Sequence, residues 1–562
     1  MVKKLFIKYW FLLLVFLVAL FLRTFQLSDI PVGLHGDEAS IGYNAYSLLK
    51  TAHDQNGNFL PLAIDQFGDF RPAGYHYLDI PFVAILGLNE LAVRLPSALF
   101  GVLSVVAFYF LLLELFERRR IANIGALLLA ISPWHIVISR ATSEGVIAAF
   151  FVIVGTTLVV KGIKSKKNII PLLVSGFLVF EVSFLFYHSA RFFVPVFVLF
   201  LLVFSLKHWK ASKKKIVYST VLFGALLLSL LFLFTAGKGS DRPLNVSILN
   251  IPGGTTELKQ SQDEDGIQNP LITRFNHNKL YFYGRLFAIS YAQHFDGEFL
   301  FVNTGLPVRY KVPWSGNVYP IEAPFILFGL AVLLADGIRT RKFVYLIPVA
   351  WLFIGPIPAG LTWEDIPNIQ RSSMTLYALL MMSAFGLDEF LQLFKKKWGW
   401  VVLMLFVLFL LQNSLYFFHN YFYHTKIHEP WNRSAAEREL IFAIDELTPK
   451  FKTIVMTTER NNNLIFYLFY NKFDPQKFQD MGSPQEKDKL RFLNMIYRQP
   501  ACPLEGDPNE YAKLDYSNTD TVFIDKSDCK LPKNAEILQV IKTPDGSPAF
   551  FVVKLNKPPL EE

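Results

Sequence analysis

Two adjacent carboxylates, Asp37 and Glu38, follow Gly33-Leu34-His35-Gly36 near the start of the chain. A neighbouring carboxylate raises the pKa of its partner, which suits a general base, and a glycine-bearing turn before them would aim one into a cleft. Acidic residues in a first helical turn also complement the helix dipole, so the pair gains meaning only from its companions. Those are mixed in charge: Arg71, His76, Arg94, Arg140, Glu144, Glu181, His188, Arg191, Glu364, Asp365 and Arg371. Guanidinium groups bind phosphate in bidentate fashion. As a set, Arg71, Arg94, Arg140, Arg191 and Arg371 would therefore serve an anionic, phosphate-bearing substrate, although any one of them alone also fits snorkelling or headgroup contact. Glu181 lies inside an apolar block and needs a partner, for which Arg191 or Arg140 would serve. His76 and His188 read as hydrogen-bonded residues rather than metal ligands. No His/Asp/Glu spacing forms a metal motif, so a divalent metal has no support from spacing.

The elements that must position these residues are membrane helices. The chain has 562 residues, 52% hydrophobic and only 18% charged, against about 45–50% and about 25% in soluble proteins. That excludes a soluble enzyme, a disordered chain and a disulfide scaffold. A bilayer span needs roughly 20 apolar residues. Eleven such blocks are expected, at 5–22, 95–113, 121–138, 144–160, 169–187, 192–206, 216–236, 321–336, 343–358, 373–393 and 398–418. The first is not a cleavable signal, since no small-residue cleavage site follows Phe21-Leu22-Arg23. With the N-terminus in the cytoplasm, the basic clusters at Lys3, Lys4 and Lys8, Arg118 to Arg120, Lys161 to Lys167, Lys207 to Lys215, Arg339 to Lys342 and Lys395 to Lys397 all fall on the cytoplasmic side. The +9 net charge then follows from topology and calls for no nucleic-acid partner.

Residues 1–425 thus read as a transmembrane domain and 426–562 as a small extracytoplasmic α/β domain. Three segments face outward: 23–92, 237–320 and 419 onward. In the first, residues 37–50 have the spacing of an amphipathic surface helix, 53–70 read as loop, and 75–86 as a second helix. The second starts polar and Gly-rich and ends aromatic. In the third, 434–447 is expected as a helix with Ser434 as N-cap and Glu437 completing a capping box. Residues 452–458 and 521–525 are expected as strands, and 536–543 with 549–555 as a hairpin. Cys502 and Cys529 share a compartment that permits a disulfide, paired or free being equally open.

The mixed ionisable residues belong to different spans yet all fall at the outer side. A transporter or lipid-linked-sugar flippase, the competing reading, would place such groups near the midplane. The asymmetry points to an outward-facing active site at the membrane surface.

Pro31-Val32-Gly33-Leu34-His35-Gly36-Asp37-Glu38-Ala39, then Arg71-Pro72-Ala73-Gly74-Tyr75-His76-Tyr77-Leu78, then Leu88 to Ser97 with Arg94, form an ordered series after Arg23. Ser132-Pro133-Trp134-His135 with Ser139-Arg140, Tyr187-His188-Ser189-Ala190-Arg191-Phe192 with Pro195, and Pro356-Ile357-Pro358-Ala359 with Arg371 continue it. The series resembles GT-C type membrane glycosyltransferases of the protein O-mannosyltransferase and aminoarabinose-transferase superfamily, over about residues 5–420. The resemblance implies a multi-pass enzyme of the plasma membrane that takes a sugar from a polyprenyl-phosphate carrier. The sugar passes, with inversion, to a hydroxyl of a lipid, glycan or protein acceptor on the extracytoplasmic face. It implies that Asp37 is the base on that hydroxyl, that Glu38 orients the acceptor or tunes Asp37, and that Arg71 contacts the donor phosphate. Arg94 matches the arginine that opens the second span. Tyr75, His76, Arg140, His188, Arg191 and Arg371 fall within the matching motifs and are placed at the substrates. Ala73 stands where many relatives have a second proline, and Phe70 where an acidic residue or histidine is frequent, which removes a metal ligand that some relatives have there.

Overall fold

Long apolar blocks form helices because a backbone in lipid must satisfy its own polar groups. The computed structural model describes residues 2–165, 167–208, 213–235, 241–265, 270–340, 342–457, 463–487, 489–499, 502–505 and 520–556. Parts of the basic runs Lys161 to Lys167, Lys207 to Lys215 and Arg339 to Lys342, and the last residue of the strand expected at 452–458, lie outside the described residues. Every expected apolar block overlaps helix among the described residues. Among the described residues seven helices are long and apolar enough to cross a membrane, and an eighth span results if Arg119–Ile131 and Pro133–Ser139, bent by 54°, count as one. Ile169–Ser183 and His188–Val203 are apolar but shorter. The protein is therefore an integral membrane protein, mainly α-helical.

The chain forms two compact units, Met1–Phe25 with Leu62–Tyr75 and Pro96–Tyr421, and Gln26–Pro61 with His76–Leu95 and Phe422–Glu562.

In the first unit small residues let helix backbones approach. A Cβ on Gly155 of helix Glu144–Lys164 would meet the Phe180 ring at 2.7 Å and the Gly176 carbonyl at 3.1 Å of the neighbouring helix Ile169–Ser183. A Cβ on Gly386 would stand 2.0 Å from the Phe325 carbonyl, so Ser373–Gln392 and Ala323–Thr340 pack without room for alanine there. Helix Ser373–Gln392 is buried from Ser373 to Asp388. At its far end Asp388 pairs with Arg118 at 3.2 Å and with Arg120, so this basic cluster also ties helices together. Residues 53–70, expected as loop, contain a strand: β1 (Ala63–Gln66) pairs antiparallel with β2 (Asp69–Pro72), Ile64 opposite Arg71. The Phe67-Gly68 turn, with Gly68 at φ 86°, closes the hairpin inside a segment whose composition suggested only loop. The polar segment after residue 237 holds helices Gly254–Glu264 and Lys279–Ala292.

The second unit is an α/β layer. Its six-stranded sheet has the order β4-β5-β3-β6-β8-β7, with β3 (Thr453–Thr457), β4 (Arg491–Phe492), β5 (Met495–Arg498), β6 (Thr521–Lys526), β7 (Ala535–Lys542) and β8 (Pro548–Leu555). β3 runs parallel to β5 and β6, while β4, β7 and β8 pair antiparallel. Val455, Ile496, Leu504, Phe523 and Val553 form its core, and Cys502 is bonded to Cys529. Helix Glu437–Leu447 buries Leu440, Ile441, Ile444 and Leu447 at helical spacing. Ser434 does not cap it: the N-cap is Ala436, without a side-chain bond, and Ser434 sits in the left-handed region at φ 53°.

Helix Gly36–Thr51 differs from its expected surface role. It is buried on both sides, through Glu38, Ile41, Gly42, Tyr43, Ala45 and Leu48. It packs on helices Asn463–Tyr470 and Pro475–Asp480. Gly42 meets Phe469 there, Tyr43 donates to the Phe473 carbonyl at 3.2 Å, and Gln479 donates to Ser47 Oγ at 3.0 Å.

Candidate active site

The candidate residues fall into one group in each unit. In the second unit His35 is the N-cap of helix Gly36–Thr51. Its Nδ1 accepts from Asp37 N–H at 3.1 Å, and its own N–H donates to Glu38 Oε2 at 3.1 Å, a reciprocal capping box. Because Nδ1 is an acceptor here, the neutral ring carries its proton on Nε2. The Asp37 carboxylate lies 3.6 Å from Nδ1 and its side chain is 16% exposed.

Glu38 is closed off. Arg94 meets it with Nε on Oε1 and Nη2 on Oε2, both at 3.2 Å. Arg94 is fully buried, and its remaining donors go to the carbonyls of Leu27 (3.2 Å), Pro31 (2.9 Å) and Gly33. The guanidinium thus folds the 27–33 segment into the turn that delivers Asp37. Arg94 and Glu38, expected at the substrate, bind one another in this structure, and Asp37 is the carboxylate of the Asp37-Glu38 pair that keeps an exposed surface. His76 of the same unit is fully buried.

The first unit gathers the other arginines. Arg71, on β2, has Nη1 3.9 Å from the buried Glu144 at the start of helix Glu144–Lys164. Arg242 pairs with Asp69, also on β2, and reaches Glu364 Oε2 at 3.3 Å. Arg371 shares that oxygen at 3.4 Å and donates to the Glu364 carbonyl at 2.7 Å and Thr362 Oγ1 at 3.0 Å. His188 Nε2 lies 3.3 Å from the Phe70 carbonyl. Burial pulls the Arg371 guanidinium below its ordinary pKa, opposed by Tyr187 and aggravated by Arg242. These residues therefore share one electrostatic environment. Among the described residues Arg191 Nη1 is buried with no hydrogen-bond partner, and so is His188 Nδ1, the acceptor nitrogen of a ring whose Nε2 donates to the Phe70 carbonyl. An orphaned buried guanidinium donor suits an anion.

Other expected residues serve structure. Arg140 donates to the Leu22 and Phe25 carbonyls at 2.8 and 2.7 Å, capping the C-terminal end of helix Val2–Thr24. Arg191 Nε likewise takes the Phe184 carbonyl at 3.0 Å. Neither forms an ion pair with Glu181 among the described residues. Tyr75 is fully buried and its hydroxyl accepts from Ser97 N–H at 3.2 Å. Asp69 and Arg242 were not read as candidates: a lone charge in a polar loop has no spacing to mark it. Among the described residues no group of three or more His, Cys, Asp or Glu is placed to hold a metal.

Comparison with known proteins locates this arrangement. Residues 71–233 match the family model of dolichyl-phosphate-mannose-protein mannosyltransferases. Two candidate mannosyltransferases of Bacillus subtilis, YycA and YkcB, are each 28% identical, over 41% and 32% of this chain. The matches span 33% and 26% of their own lengths, so the chain covers less than half of these relatives. Among solved structures, ArnT from Cupriavidus metallidurans bound to undecaprenyl phosphate aligns at a TM-score of 0.52 and 12% identity, over 97% of this chain and 98% of that one. The Archaeoglobus fulgidus oligosaccharyltransferase tethered with an acceptor peptide aligns at 0.52 and 13% identity, over 93% and 70%. With helices and a C-terminal sheet laid out along the whole length of ArnT, the chain has the fold of the GT-C membrane glycosyltransferases.

Proposed function

We propose that this protein is an inverting glycosyltransferase that moves a sugar from a polyprenyl-phosphate carrier to an acceptor hydroxyl on the extracytoplasmic face. The observation that carries the proposal is the division of labour at the start of helix Gly36–Thr51, where Arg94 occupies Glu38 and leaves Asp37 as the accessible carboxylate. Asp37 takes the proton of the acceptor hydroxyl as oxygen attacks the anomeric carbon. The bond to phosphate breaks on the opposite side, and the leaving phosphate carries off the electron pair. Its growing charge is met by Arg71 and Arg371, with Arg191 Nη1 as a further donor.

Residues 1–425 act as the transferase domain and 426–562 as its extracytoplasmic companion. The Lys/Arg bias supports a cytoplasmic N-terminus in the plasma membrane. The acceptor is a lipid, glycan or protein. ArnT bound to undecaprenyl phosphate and the mannosyltransferase relatives support the donor class and weigh against the transporter alternative. The test uses the full chain in nanodiscs with a radiolabelled polyprenyl-phosphate hexose and an envelope-lipid and glycoprotein extract as acceptor. Label transfer that Asp37→Asn abolishes supports the reading. Transfer that survives this substitution, or a donor left intact by the wild type, overturns it.

A further inference from the structure

A cavity of about 300 Å³ lies in the first unit, between residues 293–311 and the loop before Arg371. Its polar lining is Gln293, Asp296, Glu298, Asn303 and Lys311. The remaining wall is apolar, chiefly Phe299, Val308 and Pro367. The volume stands at the lower end of the about 300–1,000 Å³ usual for small-molecule sites, room for a single sugar ring.

Its walls are fixed by the backbone. Leu306 N–H donates to the Pro367 carbonyl at 2.9 Å, and Ile369 N–H returns to the Leu306 carbonyl at 2.9 Å. Gly305, at φ +75°, lies so close that a Cβ would stand 2.7 Å from the Phe299 ring and 2.9 Å from the Pro367 carbonyl. Asn303 Oδ1 accepts from Gly305 N–H at 3.4 Å, which turns the amide's donor end to other partners. Phe299 is itself held edge-on to Trp134, at 5.3 Å between ring centroids.

The lining decides the ligand class. Two carboxylates face one ammonium, which disfavours a phosphate. No three acidic or histidine side chains converge here among the described residues, which disfavours a metal. Carboxylate acceptors beside amide and ammonium donors match neighbouring hydroxyls, each of which donates and accepts. The apolar wall matches the C–H face of a sugar ring. The same loop carries Arg371: Asn368 Oδ1 accepts from Arg371 N–H at 2.8 Å, while Asn368 N–H donates to His294 Nε2 at 3.0 Å. Burial lowers His294 to about 4, so the ring stays neutral and Nε2 remains an acceptor.

We propose that this cavity is a neutral-glycan subsite that seats a non-reacting sugar residue of the acceptor, on a loop shared with the phosphate-binding arginine. The inference rests on the transferase reading and narrows its acceptor to one that bears carbohydrate.

Two measurements on the full chain in nanodiscs test it. Saturation-transfer NMR with methyl α-mannopyranoside and methyl α-glucopyranoside should show binding by the wild type. Asp296→Asn with Glu298→Gln, surface changes that keep shape, should weaken it about tenfold. Inorganic phosphate should not compete. In the transfer assay the same variant should raise the acceptor KM about tenfold, with kcat and the KM for the lipid-linked donor unmoved. Unchanged glycoside binding, competition by phosphate, or a shift in the donor KM instead of the acceptor KM would overturn the proposal. A wild type that binds glycosides, loses them in the variant and yet never consumes the lipid-linked donor keeps the subsite and sinks the transferase reading.

Discussion

Arg94, near the start of helix Glu90–Phe116, and Arg371, just before helix Ser373–Gln392, are both interior arginines, and they spend their donors differently. Arg94 holds one carboxylate alone, in bidentate geometry, and adds the backbone carbonyls of Leu27, Ser28, Pro31 and Gly33. Arg371 shares a single oxygen of Glu364 with Arg242, at 3.4 and 3.3 Å, and takes one hydroxyl and one carbonyl besides. The first arrangement satisfies the charge completely and leaves nothing for a ligand. The second ties two guanidinium groups to Asp69 and Glu364 through one shared oxygen, so neither pairing is exclusive. One residue type thus works in two hydrogen-bonding regimes, one exclusive and one shared.

The comparison breaks first at Asp37. If the capping box exists to present this carboxylate, Asp37→Asn keeps the turn and removes the base. Transfer should fall by about 10²–10⁴-fold with an unchanged thermal unfolding midpoint; a loss of both would mean that Asp37 serves the fold instead.

Arg94→Ala should do the opposite. It leaves Glu38 buried without its counter-ion, and breaking such a pair costs about 3–5 kcal/mol. Thermal unfolding should report it directly, and Arg94→Lys should recover only part, because an ammonium cannot span both carboxylate oxygens. Arg371→Ala removes a donor whose acid keeps a second partner in Arg242. Stability should fall by less than in Arg94→Ala, because Glu364 keeps Arg242 as its counter-ion, while the KM for the lipid-linked donor rises about tenfold. Equal destabilisation by the two alanine variants would erase the distinction between the regimes.

What was legible in the chain follows range of interaction. Helical spans declare themselves through contiguous apolar length, and each expected block overlaps helix among the described residues. The strands at 453–457, 521–526 and 535–555 show as β-rich runs, but their order does not, since parallel β3, β5 and β6 are brought together by distant pairing. Helix Gly36–Thr51 was visible in its spacing and misjudged in its environment. Its second buried face meets Phe469, and nothing local in residues 36–51 records a partner some 420 residues away. Ser434 satisfied a capping pattern and still lost the cap, because that pattern needs an extended N-cap backbone and Ser434 is left-handed. Around Asp37 the local motif was readable, whereas Arg242 and Asp69 are joined only by the fold.

A smaller test sets Glu486 beside Glu38, since both are largely buried and both accept a backbone N–H near a helix start. Glu486 Oε2 accepts from Leu464 N–H at 2.7 Å at the head of helix Asn463–Tyr470, and its Oε1 has no partner among the described residues. No arginine plays the part of Arg94, and burial raises the carboxyl from 4.5 to about 7. A raised carboxyl binds its proton more tightly when folded. Its contribution to stability is therefore fully present below the unfolded value and is lost as pH rises through about 7. The total is on the order of 3 kcal/mol at most. The full chain should melt at a higher temperature at pH 5 than at pH 8. Glu486→Gln, which keeps an acceptor for Leu464 and carries no charge, should flatten that difference and raise the melting temperature at pH 8. A wild-type profile that Glu486→Gln leaves unaltered would place the titration elsewhere and show that burial without a counter-ion is tolerated here as well as the paired form is at Glu38.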